Sequence, residues 1–144
     1  MKNYMKVAFS AKTENVIFTR TVAVGFLVNL NLEVGELNEI KTAISEAVTN
    51  AIVHGYQNDE SKSVELVMYY DESQITMEVI DYGIGIENVS KAREPLFSSK
   101  IDEERAGLGF TIMEVFSDEL KVESILGQMT KVTMVKIYND SRKH

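Results

Sequence analysis

The chain contains no cysteine, which excludes disulfide staples, thiol nucleophiles and cysteine-held zinc. Positive charge is also short: 15 Lys and Arg stand against 22 Asp and Glu, a net charge of −7. A protein that grips nucleic acid regardless of sequence needs a basic footprint, so no direct nucleic-acid partner is expected, while a basic protein partner is compatible. No apolar run approaches the ~18 residues of a membrane span, and no charged-then-apolar leader opens the chain. No membrane partner is therefore expected, and a cytoplasmic location is. Proline occurs once, at Pro95, and histidine twice, at His54 and His144.

What is present suffices for one domain spanning all 144 residues, with 44% hydrophobic content to build a core. Residues 5–10 read as a strand. Thr13 stands where it could cap a helix whose apolar positions, Val16, Ala23, Phe26, Leu27 and Leu30, recur at helical spacing. A longer helix is expected over 34–53, with Leu37, Ile40, Ile44, Ala47, Val48, Ala51 and Ile52 as its core stripe and Gly55 to end it. Residues 64–70 and 74–80 are rich in Val, Ile and Tyr and read as an antiparallel hairpin joined by Asp71-Glu-Ser73. From 86 to 106 the pattern breaks down around Pro95 and the charged run Asp102-Glu-Glu-Arg105. Irregular stretches of that length within a domain are more often lids or binding loops than linkers. A helix over 109–117 and strands over 120–125 and 130–137 follow, and the polar tail 139–144 is expected to fray.

The densest chemistry lies in Glu46-Ala-Val-Thr-Asn50-Ala-Ile-Val-His54-Gly55. A carboxylate, a carboxamide and an imidazole recur every four residues, so on a helix they project along one side. Mg²⁺ prefers oxygen ligands and commonly uses one or two protein groups beside phosphate oxygens. Asn50 offers a carbonyl oxygen without a charge that would repel a triphosphate. Glu46, one turn earlier, could hold and deprotonate an attacking hydroxyl. Two polar residues on an amphipathic helix need no such explanation by themselves, but Ala43 and Val53 on the same side are unusual for a solvated face. His54 is assigned only to the lining of the site.

Two glycine-bearing segments add to this. Asp81 ends a strand and enters the turn Asp81-Tyr-Gly83-Ile-Gly85, where its carboxylate could accept a hydrogen bond from the exocyclic amine of adenine. Gly83 and Gly85 would let backbone pass close to base and sugar, although Asp and Gly are ordinary turn residues too. Gly107-Leu108-Gly109-Phe110 opens a helix, whose first N–H groups lack intrahelical partners and form a natural phosphate cradle. Arg105 stands beside it for a terminal phosphate. A hinge with a solvated arginine would read the same way.

In this order the segments resemble the ATPase fold shared by gyrase, Hsp90, histidine kinases and MutL, over nearly the whole chain. The resemblance implies an α+β fold: a two-layer α/β sandwich with a mixed, mostly antiparallel sheet and helices on one face, the Bergerat-type ATP-binding fold. It implies ATP or ADP and Mg²⁺ as ligands, and Thr130 beside the adenine-reading Asp81. Gly127-Gln-Met129-Thr130 departs from the pattern, with methionine where a second glycine is frequent. The length leaves no room for gyrase or Hsp90 middle domains, and two histidines do not supply the upstream helical hairpin of a histidine kinase. Ser45-Glu-Ala-Val-Thr-Asn-Ala-Ile-Val-His-Gly-Tyr56, Pro95-Leu-Phe-Ser-Ser-Lys100 and Gly107-Leu-Gly-Phe-Thr-Ile-Met-Glu114 are similar to the anti-sigma serine kinases. That similarity implies a homodimer formed through the first strand and helix, about residues 5–30. It implies a sequestered sporulation sigma factor of RNA polymerase, and an anti-anti-sigma protein phosphorylated on serine. Arg20 matches the family's partner-contacting arginine, and Glu46 becomes the catalytic residue.

Two other classes fit parts of the chain. One is a nucleotide-dependent protein-binding module without phosphoryl transfer, which Glu46 argues against. The other is a small methyltransferase, because Val79-Ile-Asp-Tyr-Gly-Ile-Gly85 faintly imitates an S-adenosylmethionine loop. That fold needs its glycine loop to open a helix within an alternating βαβ series.

Overall fold

The computed structural model describes residues 2–94 and 108–138. Strands β1 (Asn3–Ser10), β2 (Ser63–Tyr70), β3 (Gln74–Asp81), β4 (Glu119–Ile125) and β5 (Met129–Ile137) form one sheet in the order β1-β2-β3-β5-β4. All four ladders are antiparallel, so the mixed sheet anticipated from the sequence is antiparallel throughout among the described residues. The βαβ series that a methyltransferase requires is not among them.

The register explains which face is buried. Met5, Met68, Met77 and Met134 are successive cross-strand partners, and Leu120 follows Met134. The neighbouring row is Val7, Leu66, Val79, Val132 and Val122. Strand side chains alternate between faces, so both rows point the same way, under the helices. On the opposite face Lys6 meets Glu65 and Lys131 meets Glu78, each at 3.7 Å, as suits a solvated surface.

Helices α1 (Asn15–Leu27), α2 (Val34–Asn50) and α4 (Gly109–Val115), the single turn α3 (Val89–Ala92), a 3₁₀ turn (Val28–Leu30) and a π-helical turn (Ala51–Gly55) complete the described elements. Helix α2 packs against both α1 and α4. Ile40, Ile44, Val48 and Ile52 join Ala23, Leu27, Phe110 and Met113 in the core over the sheet. Burying each large aliphatic side chain contributes roughly 1.5–3 kcal/mol, so this stripe rather than helix propensity holds α2 in place.

Several boundaries differ from the sequence reading. Thr13 does not cap α1; Glu14 occupies that position without a side-chain cap, and Asn15 instead donates its amide to the Ser10 carbonyl at 2.8 Å. Helix α2 starts with a capping box, in which Glu33 and Glu36 each accept from the other's backbone N–H. It ends as an α-helix at Asn50 and continues as a π-helical turn, Ala51–Gly55, closed by Tyr56 N–H donating to Ala51 O at 2.9 Å. Within the irregular stretch, α3 is a single turn capped by the Asn88 side chain, which accepts from Lys91 N–H at 3.0 Å. The rest of that expected lid, 95–106, and the tail 139–144 lie outside the described residues.

Candidate functional site

The hydrophobic stripe of α2 forces its other edge to look across the sheet toward β3 and β5, and a cavity of about 440 Å³ opens there. That volume lies within the range of small-molecule sites. The end of α2 and the π-turn wall it with Ala47, Asn50, Ala51 and His54. Asp81 and Thr130 come from the sheet, Gly85 from the turn after β3, and Gly109 and Phe110 from α4. Seven of the site residues expected from the sequence therefore share one space.

Asn50 lies against the start of α4. A Cβ added to Gly109 would sit 3.1 Å from both the oxygen and the nitrogen of the Asn50 amide. Any larger residue there would crowd the amide or narrow the gap between the two helices. Among the described residues no group of three or more His, Cys, Asp or Glu could hold a metal alone. A divalent ion at Asn50 would need further oxygens from water and from a bound ligand, as Mg²⁺ bound with phosphates has.

On the sheet side, Asp81 is 4% exposed, and its Oδ1 accepts from Gly83 N–H at 3.0 Å. Burial lifts its pKa from the ordinary range to about 6, and the Gly83 N–H only partly opposes this. Gly55 and Gly83 make room for the carboxylate. A Cβ on Gly55 would lie 2.5 Å from Asp81 Oδ1, and one on Gly83 would lie 2.0 Å from the Gly55 carbonyl oxygen. Gly83 thus supports the carboxylate from behind and does not line the cavity. Gly85 adopts φ +74 with the Ile125 carbonyl 2.4 Å from where a Cβ would be, so both conformation and space require glycine.

The loop carrying these residues is stapled on two sides. Ile84 N–H donates to Gly55 O at 3.0 Å, and Gly127 N–H donates to Ile84 O at 2.6 Å. Ile86 N–H donates to Ser124 Oγ at 2.7 Å, and Ser124 Oγ lies 2.8 Å from Thr130 Oγ1. Thr130 is in turn the cross-strand partner of Asp81. Methionine at 129 does not displace Thr130 from this row.

Other expected residues fall outside the cavity. Glu46 is buried one turn before Asn50 but is not part of the wall. Leu108 is exposed at the N-cap position of α4, and Arg20 is exposed on α1. Arg105 and Gly107 lie outside the described residues. The walls also include residues the sequence did not single out: Ile84, Ile86, Glu87, Asn88, Lys91 and Leu126. Asn88 could have been found, since Asn is a favoured residue at the start of a helix. Ser124 and Tyr56 carried no local signal. No described helix is long and apolar enough to cross a membrane.

Comparison with known proteins agrees with this fold. The family model described as the histidine kinase-like ATPase domain matches residues 9–136. A protein of Clostridium perfringens named anti-sigma F factor is 50% identical over 139 residues, covering 96% of this chain and 99% of the relative. Proteins of the same name from Clostridium beijerinckii and a Thermoanaerobacter species are 46% and 47% identical, covering 95% and 93% of this chain and 96% and 93% of their own. The crystal structure of the RsbU and RsbW domains of a Mycobacterium tuberculosis protein superposes with a TM-score of 0.68. At 18% identity that likeness concerns the fold alone; it covers 94% of this chain and a third (33%) of the longer one.

Proposed function

The chain belongs to the anti-sigma F factors, within the histidine kinase-like ATPase family, and on that premise we propose that it is an ATP-dependent serine kinase that also sequesters a sigma factor. The sequestered protein would be sigma F, the sporulation sigma factor, and the phosphorylated one its anti-anti-sigma partner. The observation that carries the reading is that one cavity is lined by Asp81 and Thr130 from the sheet together with Asn50, which lies against Gly109. That arrangement suits a ligand with a hydrogen-bond-donating base and an anionic tail.

In this reading Asp81 accepts from the adenine amine, with Thr130 and its neighbour Ser124 beside it. Asn50 would hold Mg²⁺, which neutralises triphosphate charge when bound. The backbone from Gly107 to Phe110, with Arg105, would hold the phosphates. His54 lines the cavity. Transfer then breaks the bond from the γ-phosphorus to the β–γ bridging oxygen and forms one to the partner's serine oxygen. ADP leaves, and the serine proton passes to the Glu46 carboxylate. A carboxylate is a weak base, but in a loose transition state deprotonation comes late and positioning dominates.

A homodimer through β1 and α1 fits the exposed edge of the sheet there. Strand β1 is an edge strand, and Tyr4, Ile17 and Phe18 expose apolar surface on these two elements. Edge strands are usually blunted or covered.

The alternative of a binding module without transfer draws on one fact: Glu46 does not line the cavity. Replacing Glu46 by Ala and following radiolabelled phosphate from ATP to the anti-anti-sigma protein separates the two. The kinase reading expects transfer to fall roughly 10²-fold or more with ATP affinity retained. Equal transfer by parent and variant would remove Glu46 from the chemistry, and no transfer by the parent would favour the binding module.

A further inference from the structure

Resting on the nucleotide reading above, we propose that Tyr56 is the positioning residue for base recognition, its hydroxyl bracing the turn that carries Asp81.

The π-turn determines where this residue goes. A π-turn inserts an extra residue into the helical repeat, and such turns are frequent at functional sites. Here it brings Gly55 against Asp81 and turns the Tyr56 ring into the core, where it is 7% exposed. The Tyr56 hydroxyl donates to Ser63 O, at the start of β2, at 2.7 Å. It accepts from Tyr82 N–H, the first amide after Asp81, also at 2.7 Å. Burial raises the Tyr56 pKa above its usual value, an effect to which the nearby Asp81 and Glu65 charges add while the Tyr82 N–H partly opposes it, so the hydroxyl keeps its proton at neutral pH.

One hydroxyl thus joins the end of α2, the start of β2 and the end of β3. The bond matters for Asp81 because the next two amides hold the same turn: Gly83 N–H is the donor to the carboxylate, and Ile84 N–H donates to Gly55 O. Without the hydroxyl, Tyr82 N–H and Ser63 O both lose their partner. The turn is then free to shift, and the Gly83 donor moves with it. Adenine presents an amine to Asp81, whereas guanine presents a carbonyl oxygen that a carboxylate repels. A misplaced carboxylate therefore weakens binding of adenine nucleotides selectively.

The variant Tyr56→Phe retains the ring and removes only the oxygen. Two measurements on the full chain test the proposal. In the nucleotide-free protein, the amide hydrogens of Tyr82, Gly83 and Ile84 should be protected in the parent and exchange about tenfold faster or more in the variant, as loss of buried hydrogen bonds implies. By calorimetry with Mg²⁺ present, the variant should lose about tenfold in ATP affinity while GTP binding changes little, narrowing the preference between them. Absent protection at Tyr82 in the parent, or unchanged exchange in the variant, overturns the brace. An equal loss for both nucleotides overturns the role in base recognition. A parent that binds neither nucleotide rejects the nucleotide reading and the base-recognition role with it, while the exchange experiment still decides whether Tyr56 braces the turn.

Discussion

Asp81 is a carboxylate that the fold buries at the wall of the cavity. Its pKa near 6 means that between about pH 4 and pH 6 the folded chain retains a proton that the unfolded chain has released. This group therefore favours folding most below its unfolded pKa, and that contribution declines as pH rises through the folded value. The difference between pH 4 and pH 7 amounts to about 3 kcal/mol at most. Denaturant unfolding should show this component as a pH slope that Asp81→Asn lacks; identical slopes in the two proteins would contradict the assignment. Bound adenine would favour the charged carboxylate, so carboxyl NMR should find the Asp81 midpoint near 6 in the free protein and lower with ADP. The sequence made Asp81 legible as a polar residue entering a glycine turn. It did not reveal the burial, which comes from Gly55 approaching across 26 residues of chain to meet it.

At the level of elements, the amphipathic stripe of α2 and the alternation in β2 and β3 were readable because each pattern repeats along a local segment. The π-turn was not, since one inserted residue shifts the helical phase only at its end and Ala51 and Ile52 are buried either way. Helix α3 was missed because four residues cannot display a period. The Thr13 cap failed because α1 begins two residues later, with Asn15 tied back to Ser10. Helix α1 itself divides into two sides: Thr19, Ala23 and Leu27 are buried, while Arg20 is exposed together with Ile17 and Phe18. Phe18 nevertheless touches Phe9 edge-on, at 6.1 Å between ring centres, which keeps α1 against the edge of the sheet. An exposed arginine on a helix anchored in this way suits contact with a partner. Arg20→Ala should weaken binding to the sigma factor or the anti-anti-sigma protein tenfold or more, the usual scale for an arginine hot spot, with ATP affinity unchanged. Loss of ATP affinity, or undiminished binding to both proteins, would count against that role.

For the molecule as a whole, the order of motifs carried more than any motif alone. A helix with Asn50, a strand with Asp81, a helix beginning at Gly109 and a strand with Thr130 are far apart in sequence, yet an antiparallel sheet in the order β1-β2-β3-β5-β4 sets β3 beside β5 and so Asp81 beside Thr130. Helix α2, crossing above, supplies Asn50, and α4 closes against it. Long-range pairing of this kind leaves no mark on local composition, which is why the pairs around Ser124 and Tyr56 emerged only from the structure. The account depends on this cavity taking a purine triphosphate with its cation. Calorimetry of the intact chain with ATP in the presence and absence of Mg²⁺ tests that directly. Saturable binding at one site per chain, strengthened by Mg²⁺ and weakened in Asn50→Ala, is the predicted result; no heat from ATP with Mg²⁺ at millimolar concentration would contradict it.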